Sequence, residues 1–374
     1  MGEVWQLSGP VLVGPEEVRG GAWVVGGRIT FERPASVDGV LDGWVVPGLV
    51  DAHCHVGIGA HGEIPAADAE AQAVRERDVG ALLLRDAGSA SDTRWMDERE
   101  DLPRIVRAGR HLARTRRYLR GLAHEIEPED LAEYARAEAR RGDGWVKLVG
   151  DWIDRETGDL APCWPADVLA AGVAAAHAEG ARVTVHQFGE EGVEELLAAG
   201  VDGIEHGTGL TGATVAEAAR RGVAVVPTLV NIATFPGIAE RGEAKFPRYA
   251  AHMRALHARR FETVAALHDA GAPVFAGTDA GSVLPHGLVV DEIAELSRAG
   301  LGPTAALDAA CFAARRWLGH PGLEEGAPAD LLVLDGDPRD DLDVLRRPRA
   351  VVLRGRPYRS GGPVGIAAGA PVGG

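Results

Sequence analysis

Two histidines one residue apart, His53 and His55, close the apolar run Val46-Pro47-Gly48-Leu49-Val50-Asp51-Ala52. In an extended strand alternate side chains share a face, so both imidazoles project together while Cys54 turns into the packing. Neutral imidazole is a preferred ligand for zinc and related ions, and two on one rigid strand make half a metal site. Residues of matching chemistry stand further along. Lys147 interrupts the apolar Trp145-Val146-Lys147-Leu148-Val149, and His186 ends Val183-Thr184-Val185-His186. His206 ends Ile204-Glu205-His206, and Asp279 sits in Phe275-Ala276-Gly277-Thr278-Asp279-Ala280-Gly281, where small neighbours leave room above a carboxylate. Each alone has an ordinary reading: a structural histidine, a lysine reaching the rim of a core, an aspartate capping a helix. Together, at the ends of five apolar runs, they point to one metal centre.

The elements that must position them alternate. Apolar runs at 49–53, 80–84, 104–106, 145–149, 182–186, 203–206, 223–227 and 274–277 are separated by Ala/Glu/Arg-rich stretches. Those at 165–179, 190–199 and 214–221 read as helices, each ending at or near a glycine (Gly180, Gly200, Gly222) suited to a left-handed C-cap. Eight strand–helix alternations predict an α/β fold, a (β/α)8 TIM barrel over 47–320, whose active site gathers at the C-terminal strand ends. The flanks differ. Short strands at 22–25 and 28–31 meet at Gly26-Gly27, and 330–334 and 350–353 flank Asp335-Gly336-Asp337-Pro338. Residues 1–46 and 321–360 are therefore expected to form one composite β-sandwich domain, with 361–374 a flexible tail.

Composition narrows the partners. The 374 residues carry 55 acids against 39 bases, a net charge of −16, which argues against nucleic acid or an anionic membrane. The 46% hydrophobic and 25% charged content is that of a globular chain. Three cysteines, odd in number and without a CxxC pair, make no disulfide framework. No basic-then-apolar leader opens the chain, Gln6 stands where a myristoylation motif wants Ser or Thr, and no run nears the ~20 apolar residues of a membrane helix. A cytoplasmic protein acting on a small-molecule substrate is the expectation.

These motifs resemble the amidohydrolase superfamily over nearly the whole chain. The matching stretches are Pro47 to His55, the Lys147 strand, Thr184-Val185-His186, Ile204-Glu205-His206-Gly207-Thr208, Gly277-Thr278-Asp279-Ala280-Gly281, Gly302-Pro303-Thr304-Ala305-Ala306-Leu307 and Gly326-Ala327-Pro328-Ala329-Asp330-Leu331. The branch it is most similar to holds Xaa-Pro dipeptidases, prolidases and imidazolonepropionase-like proteins. The resemblance implies two divalent metal ions, zinc first and manganese, cobalt or iron as substitutes. His53, His55 and Asp279 would bind one, His186 and His206 the other, with Lys147, carboxylated by CO2 to a carbamate, between them. It implies attack by a metal-bridging hydroxide on a C–N bond (amide, peptide or cyclic amide), with Asp279 carrying the proton to the amine. A lactone, ester or phosphoester hydrolase on the same centre and a mononuclear deaminase remain alternatives. An assembly scaffold is disfavoured because all six ligands are kept. A homo-oligomer is compatible with the family.

Substrate recognition is less legible. Arg104, Arg107, Arg110, Arg114, Arg116, Arg117 and Arg120 crowd one stretch, where a guanidinium fork could hold a carboxylate or simply face solvent. Arg110, His111 and Tyr118 are the candidates, although Gly109-Arg110-His111 only loosely resembles the Gly-Gly-His-like turn of relatives. Asn231 could donate to a substrate carbonyl, and Trp152, Ser282, His286 and His61 are further loop candidates. The stretch 235–260 reads equally as a mobile cover or a helical excursion.

Overall fold

The computed structural model describes residues 3–358. The apolar runs form short parallel strands buried along their whole length: Leu49–Cys54, Ala81–Asp86, Trp145–Val149, Gly203–His206 and Ala224–Val226. Burial on both faces is what parallel strands flanked by helices require. Leu49–Cys54, Ala81–Asp86 and Arg104–Arg107 pair in one parallel sheet. Ala123–Ile126, His111–Arg114, Trp145–Val149, Arg182–Gln187, Gly203–His206 and Ala224–Val226 pair in a second. Residues 274–280 bridge back: Phe275 N donates to Val225 O, while Ala52 N and His55 N donate to Ala276 O and Ala280 O.

Several expectations at the sequence level need correction. The run at 104–106 is only half of its strand. The chain breaks at Ala108-Gly109-Arg110, Gly109 at φ +71°, and resumes as His111–Arg114. What read as an arginine-rich loop thus contains a strand, because Leu112 and Ala113 are buried between polar neighbours. The helices Ala166–Ala178, Val193–Ala199 and Gly212–Arg221 are present, and Gly180, Gly200 and Gly222 all adopt positive φ as their C-caps demand. The second begins later than expected because Gly192 enters it at φ +87°.

The chain ends meet. Leu331–Leu334 pairs antiparallel with Trp44–Pro47 in a six-stranded sheet. A four-stranded sheet of Val4–Leu7, Ala22–Val25, Arg28–Thr30 and Gly39–Leu41 shares its core, where Trp5, Val24 and Ile29 pack with Val45, Leu331 and Val352. Gly26 and Gly27 take φ +57° and +81°, as a two-residue hairpin turn requires. The expected tail at 361–374 lies outside the described residues. Among them no helix is long and apolar enough to cross a membrane, and Cys54, Cys163 and Cys311 are buried free thiols.

The stretch 235–260 is helical. Leu229–Ile232, Phe235–Gly242 and Pro247–Asp269 bury Ile232, Phe235, Met253 and Leu256 against Leu160 and Phe188. His252 ties this excursion down, its Nδ1 2.9 Å from Asp159 Oδ1 and its Nε2 2.8 Å from Glu190 Oε2. The hydrogen bond to Glu190, against the opposing effect of burial, raises His252 from 6.5 to about 9. A histidine raised in the folded state stabilises fully below its unfolded value and stops doing so as pH climbs through the folded one. His252→Gln is therefore expected to lower stability at pH 6 by about 1–2 kcal/mol, reduced for solvent screening. The difference closes by pH 10, which urea melts at both pH values will read.

Candidate metal centre and active site

Strand ends bring the histidines together. Register pairs His186 with Glu205 and Gln187 with His206, so a regular strand would turn His206 to the face opposite His186; at φ +67° the His206 ring instead meets it. His53, His55, Lys147, His186 and His206 are each at most 4% exposed. Nε2 of His53 and Nε2 of His55 are 3.3 Å apart. Oδ1 of Asp279 lies 3.2 Å from the first and 2.9 Å from the second. Nε2 of His206 is 3.0 Å from Nδ1 of His186. Ligand atoms of His53, His206 and Asp279 all fall within 4.8 Å of one another.

The outward nitrogens explain this convergence. His55 Nδ1 donates to Gly88 O at 2.7 Å, and His206 Nδ1 lies 2.7 Å from Thr228 Oγ1. His53 Nδ1 lies 2.7 Å from Glu205 Oε2. With the proton held outward, each inward nitrogen presents a lone pair. Burial, ahead of the charges nearby, holds His186 and His206 well below the usual histidine value, so they are neutral. Lone pairs facing one another beside a carboxylate repel unless a cation lies among them, and this donor set fits a divalent ion. Burial favours the neutral acid of Asp279, but the His53 and His55 rings beside it outweigh burial and hold its carboxyl well below the usual carboxylate range. Burial also pushes Lys147 down to about 8, against the pull of Glu205 and Asp279.

The backbone is strained here. His206, Thr228 and Asp279 adopt φ +67°, +49° and +59°, a region side chains other than glycine rarely occupy. The small residues near Asp279 do not leave room as expected. A Cβ on Gly277 would stand 2.7 Å from both N and Cβ of His53, so glycine there lets the two strands touch.

Above the centre is a cavity of about 280 Å³. His55, His111, His186 and Asp279 line its inner part, with Tyr118, Trp152, Phe188, Phe235 and Tyr249 around them. Both ring nitrogens of His111 are buried without a hydrogen-bond partner, and its ring lies 5.1 Å from His55 and 5.2 Å from Tyr118. Asn231 lines the cavity too, but its Nδ2 donates to Asp279 Oδ2 at 2.7 Å. Arg110 does not line it; its guanidinium donates to the carbonyls of Gly121 and Leu122. None of the seven arginines at 104–120 lines it, and in so acidic a chain several find carboxylates: Arg107 meets Asp97 and Asp143, and Arg117 meets Asp154. Arg241 is the arginine that does line it. Trp152 and Ser282 line it, His286 is buried against Glu76, and His61 is exposed. Sequence reading missed Thr228 and the separate part played by Glu205. The available signal was an acid inside an otherwise apolar strand.

The profile of the Amidohydrolase family matches residues 44–357. An uncharacterized protein of Mycobacterium tuberculosis is 58% identical over 346 residues, covering 92% of this chain and 93% of that protein. A solved Xaa-Pro dipeptidase with methionine bound in its active site aligns at TM-score 0.80 and 21% identity, over 96% of this chain and 99% of its own. A Bifidobacterium longum structure described as a prolidase aligns at TM-score 0.80 and 25% identity, over 98% and 97%. With the family profile spanning most of its length, this chain belongs to the amidohydrolase family.

Proposed function

We propose that this chain is a metal-dependent hydrolase cleaving a C–N bond of a small substrate. The observation that carries this reading is the convergence of four buried imidazoles and Asp279 at the inner end of an aromatic cavity. The ring of parallel pairing is read as a (β/α)8 barrel over 47–320, and the two flanking sheets as a composite β-sandwich from 1–46 and 321–360. His53, His55 and Asp279 would hold one divalent ion and His186 and His206 a second, with Lys147 as a carbamate between them; zinc is the first choice. Such ions, when bound, supply carbonyl polarisation and make water acidic enough to attack near neutral pH.

The chain's own residues do the rest. Asp279, kept as a carboxylate and steadied through Oδ2 by Asn231, accepts a proton from the attacking water and gives it to the departing nitrogen as the C–N bond breaks. His111, neutral because burial holds it well below the usual value, offers an unpartnered N–H to the substrate. Tyr118, Trp152 and Phe188 exclude water and favour an apolar or aromatic group, while Arg241 provides a cation for a carboxylate. Nucleic acid and membrane have no part in this reading.

Zinc-loaded protein assayed on dipeptides and N-acyl amino acids, beside their C-terminal amides, tests it. Turnover is expected to vanish on chelation, to return with zinc and to favour the free acids. Ammonia as the released product would point to deamination instead, and activity indifferent to chelation would sink the metal reading.

A further inference from the structure

Beneath the centre lies a buried ion pair that the reaction does not use. Arg85, on strand Ala81–Asp86, and Glu205, on Gly203–His206, have fully buried side chains and approach to 2.5 Å between Nη2 and Oε1. Thr184 Oγ1 donates to the same Glu205 oxygen. The other oxygen, Oε2, lies 2.7 Å from His53 Nδ1, and neither of these two atoms has another hydrogen-bond partner. Arg85 Nε meanwhile donates to Ala52 O at 2.7 Å, one residue before His53. Its guanidinium sits 4.8 Å from the ring centroids of both Trp145 and Trp317. One end of the pair thus grips the His53 ring and the other grips the strand that carries it.

We propose that Glu205 is a positioning residue for the metal centre, orienting His53 and raising its basicity, and that Arg85 supplies the counter-charge that lets a carboxylate stand there. This rests on the reading of His53 as a metal ligand. A buried carboxylate without a partner would be costly, whereas one shared between a guanidinium and an imidazole N–H is compensated. A carboxylate behind a ligating histidine fixes its tautomer and strengthens its donor nitrogen. Among the four histidines, His53 alone has such a partner in close contact: His55 has a carbonyl, His206 a hydroxyl, and Asp151 stands 3.7 Å from His186.

The test is zinc affinity of the apo-protein by chelator competition, with melting temperatures of apo and loaded forms, for wild type, Glu205→Gln, Arg85→Met and the double variant. Glu205→Gln is expected to weaken one zinc site by about 10–100-fold. Arg85→Met is expected to lower the apo melting temperature by stranding the Glu205 charge. The double variant, with no unpaired charge inside, is expected to regain apo stability but not zinc affinity. Should Glu205→Gln fold poorly, the double variant alone decides. Wild-type affinity in both Glu205 variants overturns the proposal. So does affinity that returns in step with apo stability, because Glu205 would then be only structural. A wild-type chain that takes up no zinc would instead overturn the metal reading beneath it.

Discussion

Lys147→Ala is expected to drop zinc from two ions per chain to one or none and to remove hydrolysis with it. Lys147 is 1% exposed in the middle of an apolar strand, directly beside Thr184 in the neighbouring one. An ammonium there would oppose two divalent ions, whereas a carbamate brings an anion with two oxygens. Carbamate formation needs the neutral amine, and burial lowers Lys147 to about 8. Zinc uptake by the apo-protein in bicarbonate is therefore expected to rise as pH increases through about 8, and to lose that dependence in Lys147→Ala. Metal analysis of the two proteins measures this directly. One ion in both would make Lys147 a bystander and turn the search toward a mononuclear deaminase.

Asp279→Asn should lower kcat by about 10²- to 10⁴-fold, the range for losing a positioned proton carrier, with little change in KM. The substitution keeps the shape but removes the base. Its amide oxygen is expected to accept from Asn231 Nδ2 in the place of Oδ2, with its NH2 group toward His53 and His55 in the place of Oδ1. Steady-state kinetics with metal content on the same samples separates the causes. An unchanged kcat with full metal would mean another group moves the proton.

Much of this centre was readable because its parts are local. His53 and His55 share a face through the two-residue period of a strand, and that period needs no knowledge of the fold. His186, His206 and Lys147 each announced themselves as a polar residue in an apolar run. The helix stops at Gly180, Gly200 and Gly222 were equally local, since a left-handed C-cap is a property of a few backbone angles. The family followed from the same motifs.

Substrate recognition was misread at Arg110 because charge density along a chain says nothing about direction. The arginines at 104–120 turn to carbonyls and acids contributed from elsewhere, and Arg241, alone on its helix, reaches the cavity instead. Asn231 was found, but its partner Asp279 is 48 residues away.

What the sequence determined by itself was the set of metal-binding residue types, their strand-end placement and the alternation that carries them, all consequences of short-range periodicity. Only the tertiary structure decided which outward group holds each imidazole. Arg85, Glu205 and His53 are separated by up to 152 residues, and Thr228 holds His206 from a backbone angle no sequence pattern marks. Contacts between distant strands depend on register and on which side chain the interior can neutralise, and both are settled only when the sheets pair.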